Sequence, residues 1–261
     1  MVMPAEPKMN EPDLVGDAER ALGRALAKRP DSGVDPFAPF RAAPADRPFV
    51  VAQLGLSLDG RIATISGESR GINADAALDH LHAIRANVDA VVVGAGTVEA
   101  DDPQLNVRRV KGKHPVRVVI DPSGRLGSSY KWLARDGVKR LLVSAAGRAP
   151  HGAELLRLPA ENGVIAPRDI VMALFDMGLR RILIEGGART ISSFMDAGCV
   201  DRLHLLMAPV IIGSGKMGIE LAPITSLADA LRPTTTIHPL GGGEVLFDCD
   251  LSNGKKQGGN T

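Results

Sequence analysis

Three stretches of this chain carry residue types and spacings that can do chemistry. In the first, the apolar run ending at Val93 gives way to Gly94, Gly96 and Thr97, then to the adjacent acids Asp101 and Asp102, then to Pro103. Leu105, Asn106, Val107, Arg108 and Arg109 follow. A strand that stops in a glycine-rich turn leaves backbone N–H groups aimed at open space, the device by which α/β proteins hold phosphates. The acid pair suits general acid/base work or metal ligation; it suits equally the capping of a turn. Pro103 stops a helix from running on. Asn106 and Arg108 alternate with Leu105 and Val107, so extended backbone turns the polar pair to one side, toward a cleft.

The second stretch is Ile182-Leu183-Ile184 followed by Glu185-Gly186-Gly187 and a helical pattern. Two glycines at a strand-to-helix junction let a diphosphate approach the backbone where the helix dipole favours anions. The same pair serves equally as a packing turn, and neither GxGxxG nor a Walker lysine is present. Glu185 closes a buried strand, so its carboxylate stands at the carboxyl edge of a sheet, able to accept from ligand hydroxyl or ring N–H groups. The third feature is Arg85, at the rim of an apolar stripe of Ala77, Leu78, Leu81, Ile84 and Val88. It either grips an anion bidentately or snorkels to water. Upstream, Asp59-Gly60 marks a tight turn, and Ser66-Gly67-Glu68-Ser69-Arg70-Gly71 is a polar loop after the first strand. That loop is either a plain connection or part of a ligand site.

Other classes are disfavoured. The six histidines show no HxxxH or HExxH spacing, so no metal is expected. There is no GxSxG elbow. Cys199 and Cys249 form no CxxC pair and read as reduced thiols of a cytoplasmic protein. A net charge of +1 and 3% aromatic residues argue against a nucleic-acid partner. No apolar run reaches the ~18 residues of a membrane span, and no secretory h-region opens the chain.

Stepping outward to the elements, apolar runs at 49–54, 90–93, 116–120, 140–143 and 181–184 predict buried strands. Helical patterns at 74–87, 167–177 and 190–197 fall between some of them, with Asn73 as N-cap of the first. This alternation predicts a mostly parallel sheet covered on both faces. Residues 201–212 and 234–250 read as long strands with no full helix between, an antiparallel finish at the sheet edge. Residues 1–48 are rich in proline and read as an extension, partly disordered, with a short amphipathic helix over 13–28. Residues 49–251 form the globular domain, and 252–261 a disordered tail.

Together these motifs resemble the pyrimidine reductase family of riboflavin biosynthesis: the reductase module of the bacterial bifunctional deaminase-reductase and the stand-alone archaeal and fungal diaminopyrimidine reductases. The matching residues are Ser57 to Arg61, Ser66 to Ser69, Arg85 to Ala90, Gly96 and Thr97, Ala100 to Pro103, Leu105 to Arg108, Pro115 to Asp121, Glu185 to Gly187, Gly198 to Asp201, and Ala208-Pro209. They keep the family's order from about residue 49 to 250. The resemblance implies a dihydrofolate-reductase-like α/β fold, a homodimer and NADPH as hydride donor. The implied substrate is a ribosylaminopyrimidine 5′-phosphate whose ribose, as the ring-opened imine, is reduced at C1′ to ribityl. Carried over, Gly55, Thr97, Asp101, Asp121, Ser123, Gly186, Gly187, Ala188, Arg189 and Thr190 resemble cofactor contacts. Ser69, Arg85, Leu105, Arg108 and Glu185 resemble substrate contacts, with Arg85 and Arg108 as phosphate holders. Asp101 and Glu185 would orient donor and acceptor.

The chain departs from the pattern at three positions. Gly71 stands where bacterial bifunctional members carry Trp, Arg189 where Thr is usual, and Pro122 where Ser is common. No HxE or PCxxC zinc-deaminase signature is present, so deamination is expected from another protein, or a different intermediate is the substrate. Two alternatives remain: a reductase of a related pterin- or pyrimidine-like compound such as dihydrofolate, and a nucleotide-binding protein without turnover.

Overall fold

Valine- and isoleucine-rich strands with side chains alternating between two faces need cover on both sides, and helices provide it. The computed structural model describes residues 33–252; the helix expected over 13–28 and most of the expected tail lie outside them. The unit that carries the sheet begins at Val34.

A short helix α1 (Ala38–Arg41) precedes β1 (Phe49–Ser57) and β2 (Arg61–Ala63). Then come α2 (Asp75–Ala86), β3 (Ala90–Gly94), α3 (Ala95–Asp101), β4 (Val116–Ile120), β5 (Arg140–Ser144) and β6 (Glu154–Arg157). The chain continues through α4 (Pro167–Asp176), β7 (Arg181–Glu185), α5 (Ala188–Asp196), β8 (Arg202–Ala208), β9 (Lys216–Met217), β10 (Thr234–Pro239) and β11 (Val245–Asp250). Nine strands form one sheet in the order β10-β11-β8-β1-β7-β3-β4-β5-β6, and β2 pairs with β9 in a small second sheet. The pairings from β8 through β6 are parallel. β11 runs antiparallel to both β8 and β10.

Alternation sorts the core. Val51, Val91, Val93, Val119, Leu142 and Leu183 face the side covered by Ile84 of α2, Val98 of α3, Phe40 and Trp132. Val50, Ala52, Leu54, Val92, Val118, Ile182 and Ile184 face Ile170 and Leu174 of α4 and Ile191 and Phe194 of α5. Each fully buried Val, Leu or Ile contributes roughly 1.5–3 kcal/mol.

The five expected strands are present, four of them extended by one to three residues at the carboxyl end. The expected antiparallel finish holds in β10 and β11, which are two strands rather than one; β8 itself joins the parallel set. Three expectations are corrected, and one strand was not expected. No glycine-rich turn follows β3: Gly94 ends the strand as N-cap and the chain enters α3 at once, with Ala95 and Val98 buried. β6 joins the edge unforeseen, because its half-exposed Glu154–Arg157 pattern lacks the apolar density of an interior strand. Leu78 is 38% exposed, and His80 takes the buried place on α2 instead. Asn73 is not the N-cap of α2: Ala74 holds that position without a side-chain bond, and the carboxylate of Glu244 accepts the Ala74 and Ala77 N–H groups at 2.8 and 3.2 Å.

Candidate active site

β7 enters the sheet late in the chain yet lies between β1 and β3, so the strand order reverses there. Ligands of open parallel sheets bind in the crevice outside the carboxyl ends at such a point. Gln53 lies opposite Glu185, Val92 opposite Ile184, and Gly94 opposite Ile120. The loops leaving β1, β3, β4 and β7 therefore share one edge.

One half of this edge is built from glycines and threonines. Gly186 and Gly187 are consecutive left-handed residues (φ 64° and 69°) leading into α5. A Cβ on Gly187 would lie 2.6 Å from Thr97 Oγ1, so a side chain there is excluded twice, by conformation and by contact. No side chain caps the start of α5, so its first N–H groups stay available to an anion. Ala188 and Thr190 are half-buried in that first turn, and Arg189 is exposed. A nucleotide diphosphate fits this cradle. Asp121, after β4, is fully buried and accepts the Leu126 N–H at 2.9 Å and the Ser123 hydroxyl at 3.3 Å. A ligand at that turn meets Ser123 and backbone, not the Asp121 carboxylate. The open side of Gly55 is filled: a Cβ there would stand 1.9 Å from Asn73 Oδ1.

The other half is polar. Arg85 neither snorkels nor stands free. Its buried guanidinium engages Glu185 through two contacts, Nε to Oε2 at 2.7 Å and Nη2 to Oε1, and donates from Nη1 to the Asn106 carbonyl at 2.9 Å. Leu105 and Val107 are buried and Arg108 exposed, as alternation predicts. Leu105 takes φ 54° with its side chain wholly in the core, so only its backbone can meet a ligand. Arg108 Nη1 donates to Asn106 Oδ1 at 3.0 Å, while its backbone N–H donates to His82 Nδ1 at 3.1 Å. Partial burial of its guanidinium and the neighbouring Arg85 charge push the Arg108 pKa down, against the opposing pull of Glu185. Arg109 is tied instead to Asp75 and Asp79 of α2.

The acid pair splits. Asp101 is exposed and accepts the Ser69 hydroxyl at 3.4 Å, bringing the loop before α2 to the end of α3. Asp102, left-handed at φ 42°, takes the Lys131 backbone N–H at 2.7 Å and its ammonium at 3.1 Å. Asp59 accepts from the Ser57 hydroxyl and from the Ile212 and Gly213 N–H groups. These bonds, Ser57 first, hold its carboxyl at about 2 and clamp the β1–β2 turn to the loop after β8.

Gly94, Thr97, Asp101, Arg85, Arg108, Glu185 and the Gly186–Thr190 turn are thus on one edge. Sequence reasoning missed His82 and Glu244 here, and gave Asn73 a capping role in place of its bonds to Glu244 and the Leu206 carbonyl. His82 lies three residues before Arg85, a spacing that puts both on one helix face and was the available signal. Glu244 follows a glycine triplet and carried none.

The fold is a mostly parallel, helix-flanked α/β sheet of dihydrofolate-reductase-like form with antiparallel edge strands. Residues 48–238 match the RibD C-terminal domain, and the chain belongs to that family. It is 35% identical over 196 residues to the 2,5-diamino-6-ribosylamino-4(3H)-pyrimidinone 5′-phosphate reductase of Methanothermobacter thermautotrophicus, covering 71% of this chain and 90% of that one. It is 31% identical over 210 residues to the riboflavin biosynthesis protein RibD of Aquifex aeolicus, covering 77% of this chain but 58% of that protein. Among solved structures, the Thermotoga maritima deaminase/5-amino-6-(5-phosphoribosylamino)uracil reductase matches with TM-score 0.67 at 25% identity, covering 78% of this chain and 57% of that one. Among the described residues no helix is long and apolar enough to cross a membrane.

Proposed function

We propose that this chain is an NADPH-dependent reductase of riboflavin biosynthesis, converting the ribosyl group of a (di)aminopyrimidine ribosylamino 5′-phosphate to ribityl. Its relatives' names support the substrate class. The observation that carries the reading is that Glu185 and Gly186 are consecutive. The carboxylate gripped by Arg85 is next in the chain to the glycine that opens the α5 cradle, which supports a shared wall between substrate and cofactor.

A reduced nicotinamide cofactor supplies the hydride. The chain's own residues hold and align what it meets, which is most of what such a transfer needs. Thr97, Gly187 and the first turn of α5 hold the diphosphate. Arg108, beside the Arg85–Glu185 pair, holds the substrate phosphate. Asp101 and Glu185 orient donor and acceptor, with Asp101 steadied by Ser69. Held there, the open-chain imine would take the hydride at C1′ and a proton from water at its nitrogen. The cation that reads the 2′-phosphate of NADPH is one of Arg125, Arg148 and Arg189; of these Arg125 is paired with Glu99 at 2.9 and 3.0 Å. The working form is a cytoplasmic homodimer.

The test is loss of nicotinamide absorbance when purified protein and NADPH are mixed with the diamino ribosylaminopyrimidinone 5′-phosphate and, separately, with its deaminated form; oxidation with either supports the proposal. Oxidation only with dihydrofolate, or cofactor binding without oxidation, rejects the proposal. Arg108→Ala should weaken substrate far more than cofactor, and Thr97→Ala the reverse. Near-wild-type turnover in both Asp101→Asn and Glu185→Gln would remove the orienting roles.

A further inference from the structure

Arg108 reaches the site on irregular backbone. Residues 102–115 belong to no helix or strand, and Leu105 within them is left-handed. What holds this backbone is two imidazole rings. His114 Nδ1 accepts the Val107 N–H at 3.1 Å, and His82 Nδ1 accepts the Arg108 N–H at 3.1 Å. His82 is 2% exposed and shares a face of α2 with Arg85, which itself binds the Asn106 carbonyl. Because Nδ1 accepts, the ring is the neutral tautomer with its proton on Nε2. Charged groups crowd it from each neighbouring element: Arg85 on its own helix, Arg108 and Arg109 on the loop, and Glu185 on β7. Burial first, then Arg85 and Arg108, hold its pKa at about 4, so the ring stays an acceptor at neutral pH.

We propose that His82 is a positioning residue: by accepting the Arg108 N–H it sets the Arg108 guanidinium beside the Arg85–Glu185 pair as the clamp on the substrate's phosphate. The inference rests on the reading of Arg108 as a phosphate holder. It predicts an effect confined to phosphorylated substrate, which a ring needed only for packing would not produce.

The test is steady-state kinetics of the full chain with NADPH and two substrates, the ribosylaminopyrimidine 5′-phosphate and its nucleoside. Arg108→Gln should raise KM for the phosphate and leave that for the nucleoside; a silent Arg108→Gln overturns the phosphate-holder reading and the inference with it. Given that rise, His82→Leu is expected to raise KM for the phosphate about tenfold, the effect of one lost orienting bond, with kcat within about twofold. KM for the nucleoside should not move. His82→Asn puts Oδ1 where Nδ1 stood and should return KM to within about threefold of wild type. His82→Gln fills similar space with its acceptor one bond farther out; it should repeat the Leu result and replaces it if that variant does not fold. An unchanged KM in His82→Leu, equal rises for both substrates, or no recovery in His82→Asn each overturns the proposal.

Discussion

Glu185 serves two partners at once. Its carboxylate neutralises a nearly buried arginine and also stands at the edge where a ligand would sit. Removing one member of such a pair leaves an unpaired buried charge, whereas replacing both by apolar groups removes the desolvation cost as well. Glu185→Gln should therefore lower the unfolding free energy by about 3 kcal/mol in urea titrations. The double change Arg85→Met with Glu185→Leu should be less destabilising than the sum of its parts. Additive losses would mean the pair is not coupled. Arg85→Lys should not rescue function, because an ammonium cannot reproduce the two-pronged grip on Glu185 together with the Asn106 bond.

At the scale of elements, α2 is held to β1 by a chain of contacts that begins outside both. Glu244 binds the first turn of α2 and the Asn73 amide at 3.1 Å, while Asn73 also donates to the Leu206 carbonyl at 3.2 Å. The amide so held fills the space over Gly55. Glu244→Ala should cost about 2 kcal/mol, the range of a lost cap plus unsatisfied buried donors. Hydrogen exchange should report it as lost protection at Ala77 and Leu78. Gly55→Ala should destabilise by about 1–3 kcal/mol by overpacking, and Asn73→Ala should relieve much of that in the double variant. At the other junction, Gly187→Ala should weaken NADPH binding, with Thr97→Ala relieving only the contact and not the left-handed strain.

For the whole molecule, acid stability depends on a buried polar cluster between α2 and the β8–β11 edge. His80 Nε2 meets His204 Nδ1 at 3.1 Å under the Phe37 and Phe40 rings, and His204 Nε2 lies 3.1 Å from Asp248 Oδ1, off a good hydrogen-bond axis. Burial pushes His80 down to about 3, from 6.5 when free. The folded chain thus keeps it neutral while the unfolded chain takes up a proton below 6.5. The contribution of His80 is constant above pH 7 and is lost as pH drops toward 3, at up to about 1.4 kcal/mol per pH unit for each such group. His82 adds to the same slope down to about 4. Burial raises Asp248, but His204 and Arg202 outweigh it and hold the carboxyl at about 2, so its contribution is lost only below 3.8. Urea midpoints measured from pH 8 to 4 should show this decline, and His80→Phe should flatten it. The proposed homodimer predicts a sedimentation mass of twice 27.4 kDa; a monomer at assay concentration rejects it.

The interior strands were legible because a strand buried on both faces needs an unbroken apolar run, and Val91-Val92-Val93 or Ile182-Leu183-Ile184 admit little else. Glu185 ending such a run, and Gly186-Gly187 after it, located the carboxyl edge in the same way. β6 and the Glu244 cap were not legible: an edge strand needs no apolar density, and a glutamate can cap a helix nearly 170 residues before it only after the sheet has formed. By its own residues, then, the sequence determined which segments are buried and which end in functional groups. Tertiary structure alone decided that Arg85 meets Glu185 rather than water, that Leu105 is left-handed, and that His82 holds Arg108. Partners of this kind are set by the insertion of β7 between β1 and β3, and no local period encodes the order of strands in a sheet.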